Sequence, residues 1–86
     1  MARPDVKAII RRLVADYTEH GSAAVEKMSE PEHHALLTEK RIHLQAVEGR
    51  CERGEGLHVN AVLKRILENQ VKEIGHALER RNDRER

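Results

Sequence analysis

The longest regular pattern of apolar and polar positions in this chain runs from residue 59 to residue 82. Its apolar residues recur every three or four positions, and at about 100° per residue they cover roughly half of a helix circumference. These residues are Val59, Val62, Leu63, Ile66, Leu67, Val71, Ile74, Ala77 and Leu78. An arc this wide exceeds what one neighbouring helix covers. We therefore expect this helix to pack against two neighbours, one of them from a second chain.

Two further helices are predicted earlier in the chain. Apolar positions on one face indicate a helix over residues 4–20, with Pro4 and Asp5 suited to its first turn and Gly21 to its end. Ser29 begins a capping-box pattern, because an acidic residue follows it three positions later, and so predicts the start of the second helix. Between these two helices, Ser22 is predicted to cap a single helical turn.

The second helix, predicted over residues 29–52, carries a row of residues at alternating steps of 4 and 3 that is typical of knobs-into-holes packing. The row consists of His33, Leu37, Lys40, Leu44, Val47 and Cys51. We expect the Lys40 stem to lie along neighbouring apolar residues with its ammonium group in water. Gly49 leaves open whether the helix continues unbroken, because glycine costs about 1 kcal/mol relative to alanine inside a helix. Gly54 and Gly56 predict the break before the third helix, which Asn60 is suited to cap.

These patterns predict an all-α fold made of a single small domain over residues 1–86. Its helices lie at about 4–20, 29–52 and 58–82, the last two forming an antiparallel hairpin with the first helix across it, and charged residues 83–86 form a frayed tail. Apolar residues make up 38% of the chain and Tyr17 is its one aromatic residue, so the core is thin. We therefore expect a homodimer or a higher oligomer to complete the core. The predicted interface residues are Leu63, Leu67, Val71, Ile74 and Leu78.

Composition narrows the functional classes further. The chain has 16 basic and 15 acidic residues, a formal net charge of +1, which gives no overall attraction to nucleic acid or membranes. One cysteine, Cys51, excludes an intramolecular disulfide. There is no apolar run approaching ~18 residues and no signal-peptide core, so we expect a cytoplasmic protein that does not enter membranes.

An enzymatic function is not expected. Cys51 ends an apolar row, and both serines have capping roles open to them. No glycine-rich phosphate loop follows a strand, which removes the usual context for a dinucleotide site. We therefore predict neither catalytic residues nor a cofactor.

Clustered arginines raise the alternative of nucleic-acid binding. The candidate residues are Arg11, Arg12, Arg80, Arg81 and Arg84. Residues 54–71, GEGLHVNAVLKRILENQV, resemble the second helix of Arc-like ribbon-helix-helix repressors. That resemblance implies a dimeric DNA-associated regulator or an antitoxin-like protein.

A pair of Glu-x-x-His sequences raises the third alternative, a metal site. Glu30 and His33 open the second helix, and Glu73 and His76 lie near the end of the third. Residues three apart on a helix point the same way, and carboxylate-bridged di-iron bundles use this spacing. Residues 30–41, EPEHHALLTEKR, resemble the metal-binding helix of ferritin-like proteins, which implies a carboxylate–histidine metal centre.

Among these classes the sequence favours a small intracellular, non-enzymatic interaction or regulatory protein. We expect it to self-associate and to present a helical surface to a protein partner. The DNA-associated regulator is the leading alternative, and the ferritin-like metal protein is the third.

Overall fold

The computed structural model describes residues 5–84, and every regular element in that range is an α-helix, so the all-α prediction is confirmed. In chain order the helices are α1 (Val6–His20), α2 (Ser22–Lys27), α3 (Glu30–Glu52) and α4 (Leu57–Arg84). No helix within residues 5–84 combines the length and the apolar character needed to cross a membrane.

Local capping determines both ends of α1. The Asp5 carboxylate accepts hydrogen bonds from the backbone amides of Lys7 at 3.1 Å and Ala8 at 3.3 Å, so Asp5 is the N-cap and the helix begins at Val6. Pro4, which was predicted to lie in the first turn, falls outside the described residues. Gly21 ends the helix as predicted, with a φ of 58° that a residue with a side chain rarely adopts.

The α2 helix is longer than the single turn that the sequence predicted. It spans six residues, and Gly21, not Ser22, occupies its N-cap. Ser22 makes no capping hydrogen bond, so the capping role predicted for it is wrong. At this end of α2 the backbone carbonyl of Gly21 accepts a hydrogen bond from the Ala24 amide at 3.1 Å, so the Ala24 amide has an acceptor.

The capping box predicted at the start of α3 is confirmed. The Ser29 hydroxyl accepts a hydrogen bond from the Glu32 amide at 3.3 Å, and the Glu32 carboxylate accepts one from the Ser29 amide at 2.9 Å. The hydrogen bond from the Ser29 amide lowers the pKa of Glu32. From there α3 runs without a break through Gly49, which settles the question that the sequence left open.

A tight connection at residues 53–56 joins α3 to α4. Gly54 and Gly56 adopt positive φ values of 75° and 48°, as the predicted break requires. α4 begins at Leu57, so Asn60 is not its N-cap; instead the Asn60 side chain donates a hydrogen bond to the Glu55 carbonyl at 2.6 Å. The helix continues to Arg84, so residues 83 and 84 of the predicted frayed tail are helical, and the rest of that tail lies outside the described residues.

The α3 and α4 helices share the most extensive contact between elements in the described range, and α1 and α2 complete the core at one end of this pair. His33, near the start of α3, is hydrogen bonded to the Ile74 carbonyl in the second half of α4. The largest buried apolar cluster draws on all four helices. It contains Leu13, Tyr17, Ala24, Val25, Met28, Leu36, Leu37, Ile74 and Leu78.

Tyr17 is the point where α1, α3 and α4 meet. The ammonium nitrogen of Lys40 lies 5.5 Å from the centre of the Tyr17 ring, a distance suited to a cation–π contact. Lys40 is only 7% exposed, so its stem is covered as expected, and burial lowers the pKa of Lys40. Burial, the negative charge of Glu73 and a hydrogen bond to Glu73 raise the pKa of Tyr17 to about 12.

Removing the capping box tests how far α3 depends on its first turn. We expect Ser29→Ala to lower the free energy of unfolding by about 1 kcal/mol, because the Glu32 amide loses its acceptor. Urea denaturation followed by circular dichroism measures this loss. Ser22→Ala is the matched control and is expected to cost little, since Ser22 makes no cap. Equal losses in the two variants would contradict the assignment of the cap.

The single tyrosine allows its contact with Glu73 to be tested directly. In the folded protein, the near-ultraviolet absorbance of tyrosinate is expected to rise with a midpoint near pH 12, against about 10 in the unfolded chain. Glu73→Gln removes a nearby negative charge and should lower that midpoint, although burial still raises it. Circular dichroism at each pH confirms that the chain is folded. A midpoint unchanged by Glu73→Gln would show that Glu73 does not contact Tyr17.

Candidate functional site

Three apolar side chains of α4 face solvent in a row. Val59, Val62 and Ile66 are spaced by three and four positions, and their exposed fractions are 70%, 52% and 47%. Residues at this spacing lie on one face of a helix. We call these three residues the α4 apolar row. An ordered helix that exposes such a row offers a contact surface to another helix.

The interface residues predicted from the sequence lie mostly inside the protomer. Leu67, Ile74 and Leu78 are buried by the chain's own helices, with Leu67 only 2% exposed. Leu63 and Val71 are half-buried. The wide apolar arc of α4 is thus divided, because one side of it meets the protomer core and only the α4 apolar row remains exposed.

Other exposed apolar side chains lie apart from this row. Val6 and Ile9 continue the face of α1 that carries Leu13 into the core, at positions three and four residues apart. Ile42 is 55% exposed and lies on the side of α3 away from its buried row. These residues give α1 and α3 smaller apolar surfaces of their own.

A basic groove lies beside the last turns of α4. It encloses about 470 Å³ between α2, α3 and α4. Its walls are formed by Val25, Glu26, His33, Ala77, Arg80, Arg81 and Arg84. The Arg81 guanidinium donates a hydrogen bond to the Met28 carbonyl, which holds it against the end of α2. We call this cavity the C-terminal groove.

The arginines predicted to contact nucleic acid do not all line the same groove. Arg12 lies 3.5 Å from the Glu32 carboxylate and lines a separate groove of about 340 Å³ that also contains Asp16. Arg11 is exposed and lines neither groove. Three of the five predicted arginines, Arg80, Arg81 and Arg84, therefore line one groove.

His33 is the buried polar side chain of the C-terminal groove. Its Nε2 lies 3.0 Å from the Ile74 carbonyl, which can only accept, so Nε2 carries the proton. Nδ1 is buried and has no hydrogen-bond partner within residues 5–84. Burial lowers the pKa of His33, and the positive charge of Arg81 and proximity to His34 lower it further. A histidine within the apolar row of α3 was the signal in the sequence for this site.

The four predicted metal ligands do not form one group in the described part of the chain. Glu30 contacts His34 at 3.8 Å, and Glu73 interacts with Tyr17. His33 uses Nε2 for the Ile74 carbonyl, and His76 is exposed. Across the described part of the chain, no three His, Cys, Asp or Glu residues form a group that could hold a metal ion.

Comparisons with known proteins assign no family to this geometry. No protein-family model matches the chain, and comparison with curated proteins and with solved structures gives no match. The function is therefore argued from the exposed surface of α4, and in particular from the α4 apolar row.

The buried neutral His33 predicts how stability depends on pH. Because the pKa of His33 is lowered in the folded state from 6.5, the unfolded chain binds the proton first as pH falls. The contribution of neutral His33 to the free energy of unfolding is fully present above about pH 6.5. Below that pH the free energy of unfolding falls by no more than about 1.4 kcal/mol per pH unit, until His33 is protonated in the folded state as well.

Urea unfolding at a series of pH values measures this slope, and His33→Gln is expected to flatten it. The pKa of the capping carboxylate of Glu32 is lowered from 4.5, so protonation of Glu32 changes the free energy of unfolding only at more acidic pH. The contributions of His33 and Glu32 therefore fall in different pH ranges. An unchanged slope in His33→Gln would show that His33 is not the group that titrates.

Proposed function

We propose that this protein is a small, non-enzymatic helical interaction protein that self-associates through the α4 apolar row. The single observation that carries the proposal is the exposure of Val59, Val62 and Ile66 on one face of a long helix. Burying a valine or isoleucine side chain contributes about 1.5–3 kcal/mol relative to leaving it exposed. A partner surface that covers all three therefore gains substantial free energy.

A second copy of the chain is the occupant that we favour for the row. In an isologous contact each protomer offers the same surface, so a row of three apolar residues meets another such row. The row is bounded along α4 by Asn69, Gln70 and Glu73, which restrict the contact to the first half of the helix. A short apolar centre with a polar rim is the usual anatomy of such interfaces.

The assembly that we propose is built from antiparallel hairpins of α3 and α4. His33 near the start of α3 contacts Ile74 in the second half of α4, which fits an antiparallel hairpin. Two such hairpins joined through their α4 helices would make a four-helix arrangement. The remaining helical surface would then be free to bind a protein partner, which is the regulatory role that we propose.

The two alternative functions have less support. A DNA-binding dimer that uses all five arginines has less support because Arg12 and Arg80 line different grooves, and Arg12 lies 3.5 Å from the Glu32 carboxylate. A ferritin-like centre would need carboxylate and histidine ligands in one group, and no such group occurs within residues 5–84.

A pair of charge substitutions tests the proposed interface. Val62→Asp places a carboxylate in the centre of the row and should raise the dimer dissociation constant at least about tenfold, a loss of about 1.4 kcal/mol. Ile42→Asp is the matched control, since its side chain is similarly exposed at 55% but lies on α3. Native mass spectrometry and light scattering over a range of concentrations measure the oligomeric state.

Circular dichroism must show that both variants remain helical. The proposal fails if the wild-type chain is monomeric at every concentration, or if Val62→Asp and Ile42→Asp weaken the oligomer equally. Leu67→Asp is expected to unfold the protomer instead of separating it, because Leu67 lies in the core.

A further inference from the structure

We propose that two copies of the chain pair their α4 helices antiparallel through the α4 apolar row, and that acid weakens this pairing. The inference rests on the self-association proposed above, and it adds the orientation of the partner copy and a control by pH. Two features of α4 carry it. The first is the position of α2 against the later turns of the helix, and the second is the placing of His58 and Arg65 along one edge of the row.

The side of α4 that carries the row is open in the first half of the helix and partly covered by α2 in the second half. Ala77 follows Val59 by 18 positions, which is about five turns, so the two side chains point the same way. Val59 is 70% exposed, whereas Ala77 is half-buried and packs against the buried cluster. A parallel pair of α4 helices would run on into the space that α2 occupies in each copy. An antiparallel pair meets along the first halves, where that side is open.

The spacing of the row also sets the register of the antiparallel pair. With the twofold axis beside Val62, that residue meets its own copy, and Val59 of one chain meets Ile66 of the other. Every apolar residue of the row then has an apolar partner. Sliding one helix by a turn would leave one apolar side chain of each copy without such a partner, so this register buries the most apolar surface.

The same register brings two basic residues together at one edge of the row. His58 and Arg65 each come directly before an apolar residue of the row and are seven positions apart, so they border the row on the same side. In an antiparallel pair, equivalent edges of the two helices face each other. His58 of each copy therefore faces Arg65 of the other. Both side chains are exposed in the protomer, so this contact forms on association.

Mild acid adds a charge at this contact. A histidine side chain gains a positive charge as the pH falls from about 8 to about 5, whereas an arginine keeps its charge throughout. In acid each copy then places a protonated His58 against Arg65 of the other, and the twofold axis repeats the contact. Because these like charges are apart in the separate chains, acid shifts the equilibrium toward separate chains.

The charged groups of the protomer near His58 do not depend on association. Glu55 lies three positions before His58, and its carboxylate is 3.3 Å from the Arg53 guanidinium in the protomer itself. The buried residue Leu67 lies nine positions after His58, about two and a half turns, so His58 points away from the protomer core. Arg65 of the partner copy is therefore the charged side chain that the proposed pairing adds next to His58.

Sedimentation equilibrium of the purified full chain at about pH 8 and about pH 5.5, at equal ionic strength, measures the dimer dissociation constant across the range in which histidine titrates. We expect the constant to rise at least about threefold in acid, as two exposed contacts between like charges predict. His58→Gln and Arg65→Gln should each remove this rise, because either variant leaves one charge of the pair. His76→Gln should keep it, since His76 points the same way as His58 but lies beyond the paired segment. Circular dichroism must show that each chain is folded at both pH values, because loss of the His33 contribution also lowers stability in acid.

Disulfide trapping tests the orientation, in a Cys51→Ser background so that each new cysteine is the reactive thiol. An antiparallel pair brings Val59→Cys of one copy next to Ile66→Cys of the other, so a mixture of the two variants should form mixed disulfide dimers, identified by mass. Val59→Cys alone should cross-link poorly, because its two copies lie about 10 Å apart along the pair, beyond the span of a disulfide. A parallel pair would give the opposite result.

Three outcomes overturn the proposal: the same dissociation constant at both pH values, an acid effect that persists in His58→Gln or in Arg65→Gln, and faster cross-linking of Val59→Cys to itself than to Ile66→Cys. In each of these cases the chain still dimerises, so self-association through the row stands. A wild-type chain that is monomeric at every concentration instead overturns the proposed function, and this inference with it.

Discussion

The contacts of Tyr17 are the interaction on which the arrangement of the helices depends. Its ring lies under the Lys40 ammonium of α3 and its hydroxyl interacts with Glu73 of α4, so one side chain ties α1 to both long helices. The chain has no other aromatic residue, and the rest of the core is made of small aliphatic side chains. A single large side chain therefore supplies contact area that several aromatic residues share in most domains of this size.

A second set of polar contacts holds the opposite side of the core. His33 joins the start of α3 to α4 through the Ile74 carbonyl, and Arg81 joins the last turns of α4 to the end of α2 through the Met28 carbonyl. Both side chains border the C-terminal groove. The same hydrogen bonds therefore hold the helices together and position the walls of the C-terminal groove. The shape of the groove depends on them as the fold does.

The length of α4 separates the surface that we propose to be functional from the part of the helix that α2 covers. With 28 residues against 23 in α3, α4 meets α3 over most of its length and still reaches α2 with its last turns. The α4 apolar row lies in its first half and the arginines of the groove lie near its end. The row therefore stays open to a partner copy, while α2 packs against the same helix further along.

The sequence by itself determined the elements that local interactions control. The capping box at Ser29, the stop at Gly21 and the break at Gly54 and Gly56 depend on hydrogen bonds and backbone angles within a few residues, so their patterns were sufficient. Only the tertiary structure decided which part of the α4 arc is buried, because that depends on where neighbouring helices lie. It also decided that the Lys40 ammonium lies over the Tyr17 ring, since that ring comes from a different helix, and that Arg12 and Arg80 line different grooves.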